Sequence, residues 1–322
     1  MFEEEAKAKA ALYAAIFLTF AGYGGRLLGV EPLHNQFFPW AAWAYVLFAD
    51  NLVYRVSGSS PLVSRSGEFL VLALWSLGLG SVFELLNLRL GAWYYYGQPA
   101  SLSLRWSGRA LALAALLPSL FVTAELLRCL GLFRNLKSPS FRAPADLPGA
   151  LLSAGLLALV LAVALPGALA PLVWLGPLLA AEALNFRLGL PSLLRELQGG
   201  LPGKTLRLAA AGIICGLLWN AWNSAAGARW ASAAVSPWPG LLGLPLPAYA
   251  GFALFGLQSY SLYALVSWLR GGRSWEEGAW EPPGRRPPAS AWPAALAAII
   301  IISYIAFRLA DARSVRLYLG WL

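Results

Sequence analysis

Two pairs of polar residues inside strongly apolar segments are the positions in this sequence best suited to chemistry. Glu84 and Asn87 are three residues apart, and Asn220 and Asn223 repeat that spacing later in the chain. Side chains at this spacing share one face of an α-helix. Because ionisable groups are costly within apolar helices, we expect Glu84 to face the protein interior, where it is a candidate catalytic proton donor.

Aromatic residues accompany both pairs and would form the walls of a site. Four tryptophans lie close to the polar pairs in sequence: Trp93, Trp219, Trp222 and Trp230. Together with the three asparagines, they are predicted to bind a ligand between the two halves of the chain. The alternative is structural, because Asn and Glu also link transmembrane helices by hydrogen bonds and Trp is enriched at membrane interfaces.

Three further acidic residues fall inside apolar segments. Glu125 is the second catalytic candidate, as a proton-handling group, although an arginine three residues later is a possible partner for it. Asp50 and Glu182 each precede an arginine by five residues. We expect them to form ion pairs with Arg55 and Arg187 at the membrane interface.

The sequence excludes several kinds of site. His34 is the only histidine, so a bis-histidine haem and a histidine-rich metal centre are excluded, and no metal or cofactor is predicted. Cys129 and Cys215 lie in different apolar segments without CxxC spacing, which is typical of small packing residues. The basic residues are scattered among loops, so no nucleic-acid partner is expected.

The composition is that of a membrane protein. Hydrophobic residues make up 59% of the 322-residue chain and charged residues 12%, against roughly 25% charged in soluble domains. We predict an all-α, polytopic integral membrane protein with about nine transmembrane helices, each long enough to cross a bilayer. Their predicted positions are 10–28, 37–56, 69–88, 109–130, 147–165, 168–186, 206–223, 247–269 and 291–310.

The chain contains an internal duplication. Asp50 aligns with Glu182 at an offset of 132, and Asn87 aligns with Asn223 at an offset of 136. An even number of helices per repeat keeps both copies in the same orientation, so the prediction is a parallel tandem repeat in a 4+4+1 arrangement. The predicted units are a first four-helix repeat, a cytoplasmic linker, a second four-helix repeat, a second cytoplasmic linker, and a ninth helix with an outer tail, at 1–130, 131–146, 147–270, 271–290 and 291–322.

The distribution of Lys and Arg predicts the orientation in the membrane. With nine spans, 16 of the 24 basic residues fall on the side of the N-terminus and 8 on the other. Cytoplasmic loops carry the excess of positive charge, so the N-terminus is expected in the cytoplasm and the C-terminus outside. The expected location is a membrane of the bacterial inner-membrane type.

Two resemblances follow from particular runs of residues. The run EFLVLALWSLGLGSVFELLNLRLGAWYYYG at 68–97 resembles a family of uncharacterised bacterial polytopic membrane proteins. That family has a W-E-x-W-N run before a GxRW segment, where this chain has WNAWN and GARW, so Asn220 replaces an acid. Gly91, Trp93 and Tyr95 are more distantly similar to segments of membrane carotenoid and lycopene cyclases, whose P-x-E-E signature is absent here.

Three functions are compatible with these features. The first is binding of a membrane lipid or isoprenoid between the repeats, with Glu84 as the acid of an isoprenoid-modifying enzyme and the aromatic rings stabilising a carbocation. The second is a non-enzymatic subunit that binds a quinone or pigment within a complex of membrane subunits. The third is a transporter, since duplication and embedded acids are common in that class.

Overall fold

The computed structural model describes residues 2–233, 238–276 and 287–319, with side chains as far as residue 313. It is 73% helical. The first half contains six helices and one strand: α1 (Phe2–Leu27), α2 (Phe37–Ser57), α3 (Pro61–Ser64), α4 (Ser66–Leu90), β1 (Trp93–Tyr96), α5 (Leu102–Ala114) and α6 (Leu116–Cys129).

The second half has a similar order of elements, followed by one long additional helix. Its elements are α7 (Leu147–Ala164), α8 (Pro166–Leu169), α9 (Leu172–Leu188), α10 (Leu193–Gln198), α11 (Gly203–Ala225), β2 (Arg229–Ser232), β3 (Gly240–Leu241), β4 (Leu244–Pro245), α12 (Ala248–Ser267), a 3₁₀ turn (Trp268–Arg270) and α13 (Ala291–Leu319). Part of the predicted linker 271–290 and the end of the predicted outer tail, residues 277–286 and 320–322, lie outside the described residues.

Six segments are long and apolar enough to cross a membrane, so the chain is an integral membrane protein. They are Ser66–Leu90, Leu102–Cys129, Leu147–Ala164, Gly203–Ala225, Ala248–Arg270 and Ala291–Arg313. The three other predicted spans coincide with α1, α2 and α9, which are not among these six in the described part of the chain. The count of nine therefore stays a prediction.

The outermost helices expose apolar side chains over much of their surface. On α1, α7 and α13 the exposed residues include large aliphatic and aromatic side chains: Phe17, Phe20, Leu156, Leu157, Val160, Ile300 and Ile301. Continuous apolar surface of this extent is unfavourable in water but suits contact with lipid acyl chains. These faces are consistent with helices that surround a bundle inside a bilayer.

The predicted span 109–130 consists of two helices, α5 and α6, with a break between them. Pro118 causes the break, because its ring nitrogen has no hydrogen to donate to the carbonyl four residues earlier. Ser76 on α4 satisfies backbone groups beside the break: its Oγ donates to the Leu113 carbonyl at 2.5 Å and accepts from the Leu117 amide at 2.9 Å. The interruption is thus compensated by a neighbouring helix.

Glycines allow two pairs of helices to approach closely. A Cβ atom added to Gly155 on α7 would lie 2.7 Å from the carbonyl oxygen of Gly176 on α9. On α12, a Cβ added to Gly256 would lie 2.3 Å from the Leu208 carbonyl oxygen of α11. Small residues at such contacts are a common way to pack helices within membranes.

The expected ion pair between Asp50 and Arg55 is not formed, and the prediction is wrong. Asp50 is fully buried and accepts hydrogen bonds from Ser60 Oγ at 2.6 Å and from the Leu62 amide at 3.0 Å. Arg55 is half exposed and lies 3.7 Å from Glu5 instead. Burial favours these fixed local donors, which the sequence spacing did not indicate.

Glu182 has the same kind of environment in the second half. It accepts from Ser192 Oγ at 2.8 Å and from the Leu194 amide at 3.0 Å, and these donors follow it by the same 10 and 12 residues as those of Asp50. Ser261 Oγ adds a third hydrogen bond at 2.5 Å. Both acids therefore fix the short helix that follows their own helix. The expected ion pair between Glu182 and Arg187 is not formed, so this prediction is wrong as well, for the same reason as with Asp50.

A short antiparallel ladder joins the two halves. β1 follows α4 and β2 follows α11, and their register pairs Trp93 with Ser232 and Tyr95 with Trp230. The sequence analysis did not predict these strands, because four residues are too few to give a strand periodicity. The ladder brings the aromatic run of the first half against the equivalent run of the second.

Candidate functional site

A cavity of about 340 Å³ lies among α4, α5, α9, α11 and α12, with the β1–β2 ladder along one side. Its volume is within the range usual for sites that hold small molecules. Besides the aromatic residues, nine polar residues contribute to its lining: Asn35, Gln36, Glu84, Gln98, Arg105, Arg109, Asn223, Arg229 and Ser232.

The remaining wall of the cavity is strongly aromatic. Its rings come from both halves of the chain: Phe38, Phe83, Trp93, Tyr95, Trp174, Trp219, Trp230, Phe252 and Phe255. Several of these rings also pack on each other, with Phe83 stacked on Trp174 at a centroid distance of 5.2 Å. Mutual packing of this kind gives a rigid apolar surface that suits a hydrophobic ligand group.

Glu84 is the only acidic residue on the cavity wall among the described residues. It is 5% exposed, and its Oε1 accepts hydrogen bonds from Tyr95 OH at 2.5 Å and from Trp93 Nε1 at 3.3 Å. Both donors belong to β1, so the ladder and the last turns of α4 position the carboxyl group together. No described residue donates to the second oxygen, Oε2.

Tyr95 keeps its proton under ordinary conditions. Burial raises the pKa of the Tyr95 phenol well above its usual range, and the neighbouring Glu84 raises it further. The phenol is therefore a permanent donor to Glu84. The sequence analysis named Tyr95 only for a distant similarity to cyclase segments, and its contact with Glu84 depends on the strand geometry.

Asn87 and Asn223 hold the starts of the two strands. Asn87 Oδ1 accepts from the amides of Ala92 and Trp93 at 2.9 and 3.1 Å, and its Nδ2 donates to the Trp93 carbonyl at 2.7 Å. Asn223 makes matching bonds with the amide and carbonyl of Trp230, at 2.9 and 2.7 Å. The side-chain amides of Asn87 and Asn223 are thus occupied by hydrogen bonds to the backbone close to the cavity.

The structure brings the catalytic candidate Glu84 together with some of the predicted ligand-binding residues and separates others. Glu84, Trp93, Trp219, Asn223 and Trp230 all line the cavity.

The other three predicted ligand-binding residues do not line the cavity. Asn87 bonds to the backbone at the start of β1, and Asn220 donates to the Gly216 carbonyl of its own helix at 2.7 Å. Trp222 packs against Phe38 and Tyr45.

Glu125 lies at the other end of α6, away from this cavity. It pairs with Arg128 at 2.5 Å, beside a second space of only about 30 Å³. Lys204 nearby is held by Glu196 at 2.9 Å and Glu276 at 3.0 Å. The neighbourhood of Glu125 is therefore a charged, closely packed contact with little room for a ligand.

The sequence analysis missed an arginine cluster at the polar end of the cavity. Arg105 Nε and Nη2 each lie 3.0 Å from an oxygen of Asp311, and Trp106 Nε1 donates to the same carboxylate at 2.7 Å. Arg109 Nη1 lies 3.2 Å from Asp311 Oδ1. The only available signal was the repeated Arg at a spacing of four, which places both side chains on one face of a helix.

The last helix, α13, thus contributes directly to the site. Asp311 orients Arg105 and Arg109. Arg313 Nη1 donates to the carbonyls of Asn87 and Leu88 at the end of α4, at 3.2 and 2.8 Å. Free carbonyls at a helix end carry partial negative charge, so the arginine stabilises that end.

Comparisons with known proteins give no assignment. No protein-family model matches the chain, and no curated protein or solved structure matches it. In the described part of the chain, no group of three or more His, Cys, Asp or Glu side chains is arranged to hold a metal ion. The functional argument therefore depends on the chemistry of the cavity.

Proposed function

We propose that the cavity binds an amphipathic lipid- or isoprenoid-like molecule from the membrane. The observation that carries this proposal is one buried carboxyl group, Glu84, the only one among the described residues that line a mainly apolar cavity rich in aromatic rings. An apolar chain would lie along these rings, and a polar group of the ligand would lie near Glu84 and the arginines of the lining.

We further propose that Glu84 acts as an acid on an unsaturated ligand. Two donors already satisfy Oε1, which leaves Oε2 as the position for a proton facing the ligand. Transfer of that proton to an alkene carbon would break the O–H bond, form a C–H bond and leave a carbocation. The aromatic walls stabilise such a cation, and loss of a different proton to the carboxylate would restore the acid.

The proposed setting is a parallel tandem repeat of about nine spans in a bacterial-type inner membrane, with the N-terminus in the cytoplasm and the C-terminus outside. The matching hydrogen bonds of Asp50 and Glu182, and of Asn87 and Asn223, support the repeat. The excess of basic residues on the side of the N-terminus supports the orientation.

The Glu84→Gln variant tests the catalytic proposal. Glutamine has nearly the same size and can still accept hydrogen bonds from Tyr95 and Trp93, but it has no transferable proton. With protein in proteoliposomes and a bacterial membrane lipid extract, conversion measured by mass spectrometry is expected to fall about 100-fold or more. Glu182→Gln is the matched control, because Glu182 is a buried acid outside the cavity.

The possible results separate the competing functions. Equal conversion by the wild type and the Glu84→Gln variant would contradict the role of Glu84 as the acid. If the wild type retains a lipid, quinone or pigment without converting it, the protein is a binding subunit rather than an enzyme. Net movement of the ligand across proteoliposomes would instead identify a transporter.

A further inference from the structure

Two arginine nitrogens at the cavity lack hydrogen-bond partners among the described residues. They are Nη2 of Arg109 and Nε of Arg229, and both residues line the cavity. Arg109 is 6% exposed, so water cannot easily satisfy its free nitrogen. Buried polar atoms nearly always have a partner, and a guanidinium can only donate. The missing partner is therefore a hydrogen-bond acceptor.

The formal charges around the cavity leave an excess of positive charge. Arg105, Arg109 and Arg229 line it and contribute three positive charges, whereas Glu84 and the adjacent Asp311 contribute two negative charges when both are ionised. The excess is therefore one positive charge, and it rises to two if Glu84 carries the proton of the proposed reaction.

The side chain of Arg109 is fixed in position before any ligand binds. Its guanidinium carbon lies 5.3 Å from the ring centre of Tyr95 and 5.4 Å from that of Phe307. Asp311 accepts from Nη1 on one edge, which leaves Nη2 as the free donor. A guanidinium held in this way loses little conformational freedom on binding a ligand oxygen.

We propose that the ligand carries an anionic oxygen group, a phosphate or a carboxylate, held by Arg109 with Arg229 as a second contact. This inference rests on the proposed function, in which the ligand's apolar chain lies along the aromatic wall. Guanidinium groups recognise phosphate and carboxylate through charge-assisted hydrogen bonds. The site thus selects an anionic amphiphile over a neutral lipid with the same chain.

The test compares three probes on the purified full-length protein in lipid nanodiscs: farnesyl phosphate, farnesol and inorganic phosphate. Binding is measured by the intrinsic fluorescence of the tryptophans that line the cavity, including Trp93, Trp174 and Trp219. Farnesyl phosphate is expected to bind about tenfold tighter than farnesol, or more, the effect of one charge-assisted hydrogen bond. Inorganic phosphate without a chain should bind much more weakly than farnesyl phosphate.

The Arg109→Gln variant should lose this preference, with binding of farnesyl phosphate weakened about tenfold and binding of farnesol changed little. Asp311 keeps Arg105 as its partner in this variant, so no carboxylate is left unpaired. Arg109→Lys should recover part of the preference. Arg89→Gln is the matched control, since Arg89 is exposed at the end of α4 and does not line the cavity. If Arg109→Gln does not fold, Arg229→Gln tests the same preference.

Three results would overturn the inference. Farnesol binding as tightly as farnesyl phosphate would show that the site does not require an anion. Equal weakening of both probes by Arg109→Gln would show a structural role only, and inorganic phosphate binding as tightly as farnesyl phosphate would identify a free anion rather than a lipid. If neither farnesyl phosphate nor farnesol binds, the proposed function itself fails. If both bind equally well, only the inferred selection for an anion fails.

Discussion

Replacing Gly256 with leucine is expected to destabilise the protein by about 3 kcal/mol or more. An added Cβ would lie 2.3 Å from the Leu208 carbonyl oxygen, and backbone cannot rotate away as a flexible side chain can. A Cβ on the facing Gly212 would meet the Phe252 carbonyl oxygen at 2.1 Å, so the contact is close from both sides. The helices α11 and α12 must then separate.

The Gly256→Leu change should also disturb the cavity, because Phe252 and Phe255 on α12 form part of its wall. Thermal unfolding in detergent, followed by a thiol-reactive dye, can measure the effect, since Cys215 is fully buried in the folded protein. Gly24→Leu is the matched control, as a Cβ at this helical glycine of α1 has no neighbour within 4 Å. Wild-type stability for Gly256→Leu would contradict the close packing described.

Replacing Asp311 with leucine is expected to cost about 3–5 kcal/mol, the usual effect of removing one partner from a buried ion pair. The carboxylate is 12% exposed, and its two arginine partners, Arg105 and Arg109, are 16% and 4% exposed. Without Asp311, two guanidinium groups would remain inside the protein with no counter-charge in contact. The hydrogen bond from Trp106 would also be lost.

The Asp311→Leu variant can be measured by the same thermal unfolding assay, with Asp311→Asn as a graded comparison. Asparagine retains a hydrogen-bond acceptor for one of the donors but not the negative charge. The stability of the Asp311→Asn variant should therefore lie between those of the wild type and the Asp311→Leu variant. Glu3→Gln is the control, because the Glu3–Lys7 pair is exposed and its loss should leave stability unchanged. A leucine variant as stable as the control would show that α13 contributes little to the site.

Hydropathy identified the membrane-spanning segments well because it depends on composition over many residues. All six segments apolar enough to span a membrane coincide with predicted spans. The break between α5 and α6 was harder to predict, since Pro118 interrupts the backbone without interrupting the apolar run. Its compensation by Ser76 depends on which helix packs beside it.

The site was only partly predictable for similar reasons. Glu84 could be identified because an acid within an apolar helix is costly wherever the helix packs. The carboxamide spacing was visible too, yet Asn87 bonds to the loop that follows its helix, and that loop conformation could not be inferred from a helical pattern.

The arginine cluster was missed because its partner is distant in sequence. Arg105 and Asp311 are 206 residues apart, and the basic residues were interpreted only as anchors that set membrane orientation. The contact between the first turn of α5, which carries Arg105, and the last helix, α13, depends on how the helices pack in three dimensions. A count of charges per loop contains no information about such contacts.

The most direct test of the central proposal is mass spectrometry of the small molecules that co-purify with the wild type and with an Ala112→Trp variant. Ala112 lines the cavity, so the indole would fill much of the space, whereas Leu111→Trp on the exposed face of the same helix is the control. We predict about one amphipathic lipid per wild-type chain, retained by Leu111→Trp and reduced about tenfold or more by Ala112→Trp, since overlap with the added ring excludes the ligand. A wild type that retains no such molecule, or an Ala112→Trp variant that retains as much as the wild type, would contradict the proposal.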